Sequence, residues 1–294
     1  MQATRSLLKT ASSLFSDSVR REAFVEAIVN PTKFPPTIFW LKEKLPEIFT
    51  EEARLSWQPS FVDRLNNTER PGANDLHEQG YYYCLDFSSI FALAPLSVIN
   101  QPLRTVIDVC SSPGGKGIYA WRLFRPSSII FNEVIAKRHG ALFSNIKRCR
   151  VENYQVTRQD VSILSENYAE SADLVLVDAP CSGQSLRARG QDSFGCFDGR
   201  IIKMNAKRQR RILAHCARLV KAGGYLLYTT CTYSREENEE NLIWFQENNR
   251  NFIPLEVNNL SEFQSGYIEH PCYRIWPQSG LGAGAFSVLM QKGD

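Results

Sequence analysis

Short apolar runs that each end in polar residues, with helical stretches between them, constrain this chain more than any other feature. From residue 105 onward the runs are 105–110 (TVIDVC), 128–134 (SIIFNEV), 154–160 (YQVTRQD), 173–180 (DLVLVDAP) and 224–233 (GYLLYTTCTY). Each reads as a buried strand. Helical periodicity falls between them, at about 115–124, 136–150 and 203–220. Strand–helix alternation of this kind predicts an α/β fold, a parallel sheet with helices on both faces. A last strand is expected at 285–292 (AFSVLMQK). The first 75 or so residues read differently. REAFVEAIVN and IFWLKEKLPEIF carry apolar residues at helical spacing, separated by NPTKFPP, so a small helical region is expected ahead of the sheet. NNTERPGAND reads as the loop that follows.

Sheets of this type bind ligands at the carboxyl ends of their strands. Those ends carry Asp108-Val109-Cys110, Glu133, Asp160, Asp178-Ala179-Pro180-Cys181 and Thr230-Cys231. The stretch 108–117 (DVCSSPGGKG) links the first strand to the first helix, and Gly114 and Gly115 let backbone N–H groups approach a ligand closely. It is not a phosphate-binding P-loop, since Cys110 and Gly117 stand where that motif needs Gly and Ser or Thr. Glu133 ends the second strand 18 residues after Gly115, where an acid bonds the ribose hydroxyls of a nucleoside-type cofactor. Asp160 ends the third strand, where it could accept from an adenine amino group. Taken singly, each acid is more often a helix cap or a surface residue. Together they point to adenosine.

The chain has eight cysteines and no C-x-x-C pair, so neither a structural zinc site nor any other metal is expected. Two of the eight, Cys181 and Cys231, end neighbouring predicted strands. Ser234 and Glu237 after Cys231 have the spacing of a capping box, and Glu236, Glu237, Glu239 and Glu240 suit the positive end of a helix dipole. A helix starting there would lower the Cys231 pKa, opposed by those acids. A thiolate beside an adenosine-bearing methyl donor fits one demanding reaction. Carbon 5 of a pyrimidine becomes nucleophilic when a thiolate adds at carbon 6. A second cysteine could then assist release.

Three stretches, DVCSSPGGKG, DAPCSG and TTCTYSREENE, resemble the signature motifs of the Sun family of RNA (cytosine-5) methyltransferases. GYYYCLDFSS (80–89) and RIWP (274–277) are similar to two further motifs of that family, in the same order, and the resemblance covers roughly residues 78 to 291. It implies a Rossmann-like S-adenosylmethionine-dependent methyltransferase domain over 78–294, behind a helical region at 1–77 that could touch RNA. It implies that Cys231 is the nucleophile and Cys181 the assistant in release. It places Cys110, Ser111, Ser112, Pro113, Gly114, Gly115 and Lys116, with Glu133, Asp160 and Asp178, around the cofactor. The family usually has alanines at Ser111 and Ser112, Thr or Ser at Gly117, often His at Gln278, and an Asp-Gly-Phe-Phe pattern where LGAGAFS stands.

Other readings compete at this stage. Cys181 sits in a Pro-Cys pair of the kind DNA cytosine methyltransferases use. The chain could also be a non-catalytic RNA-binding assembly module, or a methyltransferase for small molecules or proteins with inert cysteines. Net charge is only +3, yet between residues 187 and 211 stand Arg187, Arg189, Arg200, Lys203, Lys207, Arg208, Arg210 and Arg211 against Asp192 and Asp198. Arg187, Arg189, Lys207, Arg208, Arg210 and Arg211 are therefore candidates for RNA phosphates, or a solvated helix face. Ribosomal RNA is expected ahead of transfer RNA. The sequence stops soon after its last strand, which leaves no length for a carboxyl-terminal RNA-binding module, and 75 residues are too few for the large helical extension of some relatives. No run approaches a membrane span, and a monomer is expected. The serine-rich, basic start (MQATRSLLKTASSLFSDSVRR) fits an ordinary amphipathic helix in a cytoplasmic protein, with an organellar transit segment as the alternative.

Overall fold

A computed structural model of the protein describes residues 3–293. The chain opens with α1 (Arg5–Leu14) and α2 (Ser18–Val29). Thr4 caps the first by accepting the Leu7 N–H, and Asp17 caps the second by accepting the Arg20 N–H. The first two residues of the serine-rich start lie outside the described residues; the rest of it is helical at 5–14 and from 18 onward. Leu7, Ala11, Leu14, Phe24 and Ile28 are buried against Ala188, Cys196 and Tyr233 of the later chain. The Phe24 ring meets Tyr233 edge-on at 5.0 Å, which ties the amino-terminal helices to the segment just after Cys231.

The next expectation is corrected. IFWLKEKLPEIF is not helical: β1 (Thr37–Trp40) pairs antiparallel with β2 (Val62–Arg64) and, beyond α3 (Asp75–Glu78), with β3 (Tyr82–Cys84). All four β1 residues are buried. Phe39 faces the main core while Ile38 and Trp40 face a smaller cluster with Leu65 and Tyr82, a period of two. The Trp40 indole N–H donates to the buried Asp63 carboxylate at 2.6 Å. A short apolar run fits either element by periodicity, and partner strands far along the chain decided it. The expected boundary at 77/78 cuts this sheet, with β1 and β2 before it and β3 after it.

After α4 (Phe87–Leu93) comes the expected alternation: β4 (Thr105–Asp108), α5 (Gly115–Phe124), β5 (Ser128–Asn132), α6 (His139–Arg148), β6 (Tyr154–Thr157), α7 (Val161–Asn167) and β7 (Ala172–Asp178). It continues through α8 (Ser185–Ala188), α9 (Gly199–Leu219), β8 (Val220–Thr230), α10 (Glu239–Asn248), β9 (Phe252–Pro254), β10 (Tyr273–Ile275) and β11 (Ala285–Lys292). The sheet order is β10-β11-β8-β7-β4-β5-β6, with β9 on β11. From β8 to β6 the strands are parallel; β11 runs antiparallel to β8. The chain starts in the middle at β4, moves to one edge, then returns to β7, so the topological switch point lies between β4 and β7. The fold is α/β and Rossmann-like, as expected, with a three-stranded sheet added to the small helical region.

Register positions the site. Asp108 lies opposite Leu176 and Phe131, and Asp178 opposite Thr229. The carboxyl ends of β4, β7 and β8 therefore come level, and the loops leaving them share one edge. One apolar layer, including Val106, Ile129, Leu174 and Leu227, packs on one face of the sheet; a second, including Ile107, Ile130, Val175 and Leu226, packs on the other. Sheet residues buried on both faces contribute about 1.5–3 kcal/mol per large side chain, which keeps that edge rigid.

Candidate active site

A cavity of about 430 Å³ opens at this edge. Its floor is the turn after β4. The Ser111 N–H donates to the Asn132 carbonyl at 2.9 Å, and the Ser112 hydroxyl donates to the Arg138 carbonyl at 2.9 Å. Gly114 takes φ 108° as the residue preceding α5, a conformation that costs an L side chain dearly. Cys110, Ser111, Ser112, Pro113, Gly115 and Lys116 line the cavity, and Gly114 shapes the turn without lining it. Gly117 has a separate reason. A Cβ there would come within 2.4 Å of the Phe131 ring and 2.7 Å of the Asp108 carboxylate, so Phe131 occupies the space that the family's Thr or Ser would take. The opposite wall comes from the GYYYCLDFSS stretch, through Tyr83, Cys84, Leu85, Asp86 and Ser89.

Asp108 is the residue to which sequence reasoning gave no role. It is 1% exposed, lines the cavity, and neither carboxyl oxygen has a hydrogen bond of standard geometry. Burial first, and then the Asp178 charge, push its pKa up to about 7; Lys116 and the nearby N–H groups of Cys110 and Gly117 work the other way. Its place at the end of β4, directly before the Gly turn, was the signal in the sequence.

The other acids fall in three different settings. Asp178 pairs with Lys116 (2.6 Å, Nζ to Oδ2), accepts from the Thr229 hydroxyl at 3.1 Å, and lines the cavity. Glu133 is buried and does not line the cavity. Arg138 stands between, at 3.3 Å from Glu133 Oε2 and donating to the Ser112 carbonyl at 2.8 Å. Glu133 Oε2 has no hydrogen-bond partner, so an acceptor is left behind the Arg138 guanidinium. Asp160 caps α7 through the Ser162 N–H and pairs with Arg211 at 2.7 Å, outside the cavity lining.

Cys181 and Cys231 meet. Their sulfurs are 3.1 Å apart, at the ends of β7 and β8, and Cys231 lines the cavity. Contact of two thiols splits their titration. A hydrogen bond from Cys181 lowers the Cys231 pKa below an ordinary thiol's, helped by Lys116 and by the Ser185 hydroxyl and opposed by burial and Asp178. The same contact and burial push Cys181 well up. Of the pair, Cys231 is therefore the thiol that loses its proton more readily, and Cys181 the one that holds it. Ser185 also donates its backbone N–H to the Cys231 carbonyl at 3.1 Å.

The expected cause of that lowering is corrected. No helix begins at Ser234. The chain turns through residues 235–238 and α10 starts at Glu239, behind Asn238, whose side chain makes no cap. Glu237 and Glu239 are both fully buried and point elsewhere. Glu239 makes a buried ion pair with Arg274 of the RIWP stretch, and Arg274 Nη1 also holds the Tyr233 carbonyl at 3.0 Å. Ser234 and Glu237 do meet, hydroxyl to carboxylate at 3.1 Å, but burial also drew the carboxylates to partners distant in sequence, Ser182 and Gln209 for Glu237 and Arg274 for Glu239.

The basic candidates divide. Arg189 lines the cavity and pairs with Asp86 at 2.9 Å. Arg187 pairs with Asp192 at 3.1 Å. Lys207, Arg208, Arg210 and Arg211 lie on α9 and do not line the cavity; Arg208 bonds Asn205, Arg210 bonds Asn241, and Arg211 holds Asp160. A second hollow of about 570 Å³ shares Asp86 and Arg189 with the cavity and adds Lys33 and Arg70, two cations the sequence did not single out. Among the described residues no helix is long and apolar enough to cross a membrane.

A model of the 16S rRNA methyltransferase RsmB/F family matches residues 96–291. Ribosomal RNA small subunit methyltransferase F of Escherichia coli is 31% identical over 246 residues, which cover 79% of this chain and 51% of that protein. The chain spans about half the length of the curated relatives it matches. Among solved structures, a methyltransferase homolog protein from Pyrococcus horikoshii has the same fold, with a TM-score of 0.76 at 21% identity over 98% of this chain and 99% of that one. NSun6 from Pyrococcus horikoshii, solved with SFG, gives a TM-score of 0.76 at 18% identity over 99% and 98%.

Proposed function

The chain belongs to the 16S rRNA methyltransferase RsmB/F family, and from that premise we propose that it is an S-adenosylmethionine-dependent RNA (cytosine-5)-methyltransferase acting on ribosomal RNA. The observation that carries this reading is a pair of thiols in contact at 3.1 Å, one of which, Cys231, lines a cavity whose floor is a Gly turn. A methyltransferase with inert cysteines has no use for such a pair, and an assembly module has no use for a lowered thiol pKa.

The residues present fit the cofactor. Both Asp108 oxygens, without a hydrogen bond of standard geometry, offer buried acceptors for a cationic amino acid end, and Glu133 Oε2, which faces the Arg138 guanidinium at 3.3 Å, offers one for a ribose hydroxyl. Cys110 to Lys116 supply the turn against which the ligand lies. Asp160, already a helix cap, would take an adenine amino group with the lone pairs that remain. When bound, S-adenosylmethionine supplies the methyl group.

Cys231 bonds carbon 6 of the cytosine, and electron density moves to carbon 5. Carbon 5, so activated, would take the methyl group that a bound S-adenosylmethionine supplies, with the donor sulfur as leaving group. The carbon 5 proton passes to a base; of the carboxylates that line the cavity, Asp86, Asp108 and Asp178, Asp178 is the one whose charge bears on Cys231. The electrons of that C–H bond restore the ring double bond as Cys231 leaves. Cys181, which holds its proton more firmly than Cys231, donates a hydrogen bond to the departing thiolate and so eases its release. Arg189 at the mouth, with Arg187 and the α9 cations Lys207, Arg208, Arg210 and Arg211, is assigned to RNA phosphates while the base is turned into the site.

Ribosomal RNA is preferred to transfer RNA because the family's description and the curated relatives' names specify the small ribosomal subunit; a cytoplasmic location is part of the same proposal. The test is transfer of a labelled methyl group to small-subunit ribosomal RNA, transfer RNA and DNA, followed by bisulfite sequencing of the RNA. Label in a ribosomal cytosine at carbon 5 supports the reading. Label in DNA alone, or none in any nucleic acid with the folded protein, overturns it.

A further inference from the structure

Glu237 is a fully buried carboxylate that the reaction above does not use. It sits between the two loops that carry the thiols. Its Oε2 accepts the Ser182 N–H at 2.9 Å and the Gln209 side-chain amide at 2.8 Å. Its Oε1 accepts the Ser182 hydroxyl at 2.5 Å, the Ser234 hydroxyl at 3.1 Å and the Thr232 hydroxyl at 3.4 Å. Ser182 directly follows Cys181 and Thr232 directly follows Cys231, and their hydroxyls are also 2.7 Å apart. One carboxylate thus grips the residue next to each reactive cysteine. Gln209 extends the grip by donating to the Pro180 carbonyl, on the other side of Cys181, at 3.0 Å.

Burying a charge here is costly, and desolvation raises the Glu237 pKa. An apolar residue of the same size would fill the space without that cost. What it could not do is hold two loops from different strands through directed bonds, several of them charge-assisted.

We infer that Glu237 is a positioning residue that sets the distance between Cys181 and Cys231, and through it the reactivity of Cys231. The catalytic meaning of this rests on the methyltransferase reading, but the coupling itself does not. The groups facing Cys231 are Cys181 and Asp178 from β7 and its end, Lys116 from α5, Ser185 from α8, and the Tyr233 phenol, and Glu237 touches none of these side chains. It acts through Ser182 and Thr232 and, by way of Gln209, through Pro180; its charge also bears on Cys181, whose pKa it helps to raise.

The experiment follows the pH dependence of iodoacetamide labelling at Cys231, read peptide by peptide by mass spectrometry, in the full chain without RNA or cofactor. Glu237→Gln keeps the size but removes the charge and leaves one acceptor oxygen in place of two, so the donors on both sides cannot all be satisfied as before. The expected result is an upward shift of the labelling midpoint by about one pH unit, since the Cys181 hydrogen bond is the largest influence lowering it. Ser182→Ala, which removes the hydroxyl and leaves the backbone bond, should shift it in the same direction by less. It decides the matter if Glu237→Gln does not fold, as judged by circular dichroism. In a folded variant, a midpoint unchanged from the parent overturns the inference. A shifted midpoint in a protein that methylates no RNA would leave the positioning role standing and remove only the function proposed above.

Discussion

The Cys181 sulfur stands 3.1 Å from the Cys231 sulfur, across 50 residues of chain. β7 and β8 are parallel neighbours with Asp178 opposite Thr229, so the chain leaves both strands at one level. Both thiols sit two or three positions beyond that register pair. Their meeting is a consequence of sheet register, held by the polar residues around it.

The two cysteines should fail differently. Cys231→Ala should abolish methyl transfer and any covalent protein–RNA complex. Cys181→Ala should still attack and methylate, then accumulate a covalent complex that survives a denaturing gel with labelled RNA. An adduct from Cys231→Ala and none from Cys181→Ala would exchange the roles and revive the DNA-type assignment.

Asp108 should make the protein less stable as pH rises. Unfolded, the carboxyl loses its proton near its ordinary value of 3.8; folded, it keeps it to about 7. Between those values the folded state binds the extra proton, so stability falls with rising pH, by at most about 4 kcal/mol at 1.36 kcal/mol per unit. Urea unfolding at pH 5 and pH 8 should show a smaller drop for Asp108→Asn than for the parent. Equal drops would mean that Asp108 is not protonated at pH 5 in the folded chain.

Glu133→Ala should weaken S-adenosylmethionine binding by about 1–3 kcal/mol, roughly 5- to 150-fold, through lost bonds to a buried ribose. Arg138→Gln, which uncovers Glu133, should cost much less. Calorimetry on the folded variants decides it, and unchanged affinity in Glu133→Ala would remove the ribose assignment.

Salt dependence should sort the cations. Replacing Lys207, Arg208, Arg210 and Arg211 by Gln should flatten the dependence of RNA affinity on salt, by about 0.7 to 0.9 in log–log slope for each phosphate left without its cation. Lys33→Gln with Arg70→Gln tests the hollow that adjoins the cavity in the same way. If only the second pair changes the slope, the α9 cations are a solvated face, and the strand runs past Arg189 instead.

What the sequence by itself determined is the part governed by local pattern. Strand–helix alternation specified the parallel sheet, the 115–124 helix, and the strand ends at which Cys181, Cys231, Asp178 and the Gly turn stand. Those features depend on periodicity and on residues adjacent in the chain. Only the tertiary structure decided the rest. It made 37–40 a strand, because its partners lie at 62–64 and 82–84. It drew Glu237 and Glu239 away from a helix start into buried bonds with Ser182 and Arg274. It left the Asp108 carboxylate without a standard hydrogen bond. It also lowered the Cys231 pKa through another thiol rather than a helix dipole. In each case the deciding partner is distant in sequence, and a buried charge or hydrogen-bonding group takes whichever partner the packed chain brings within reach.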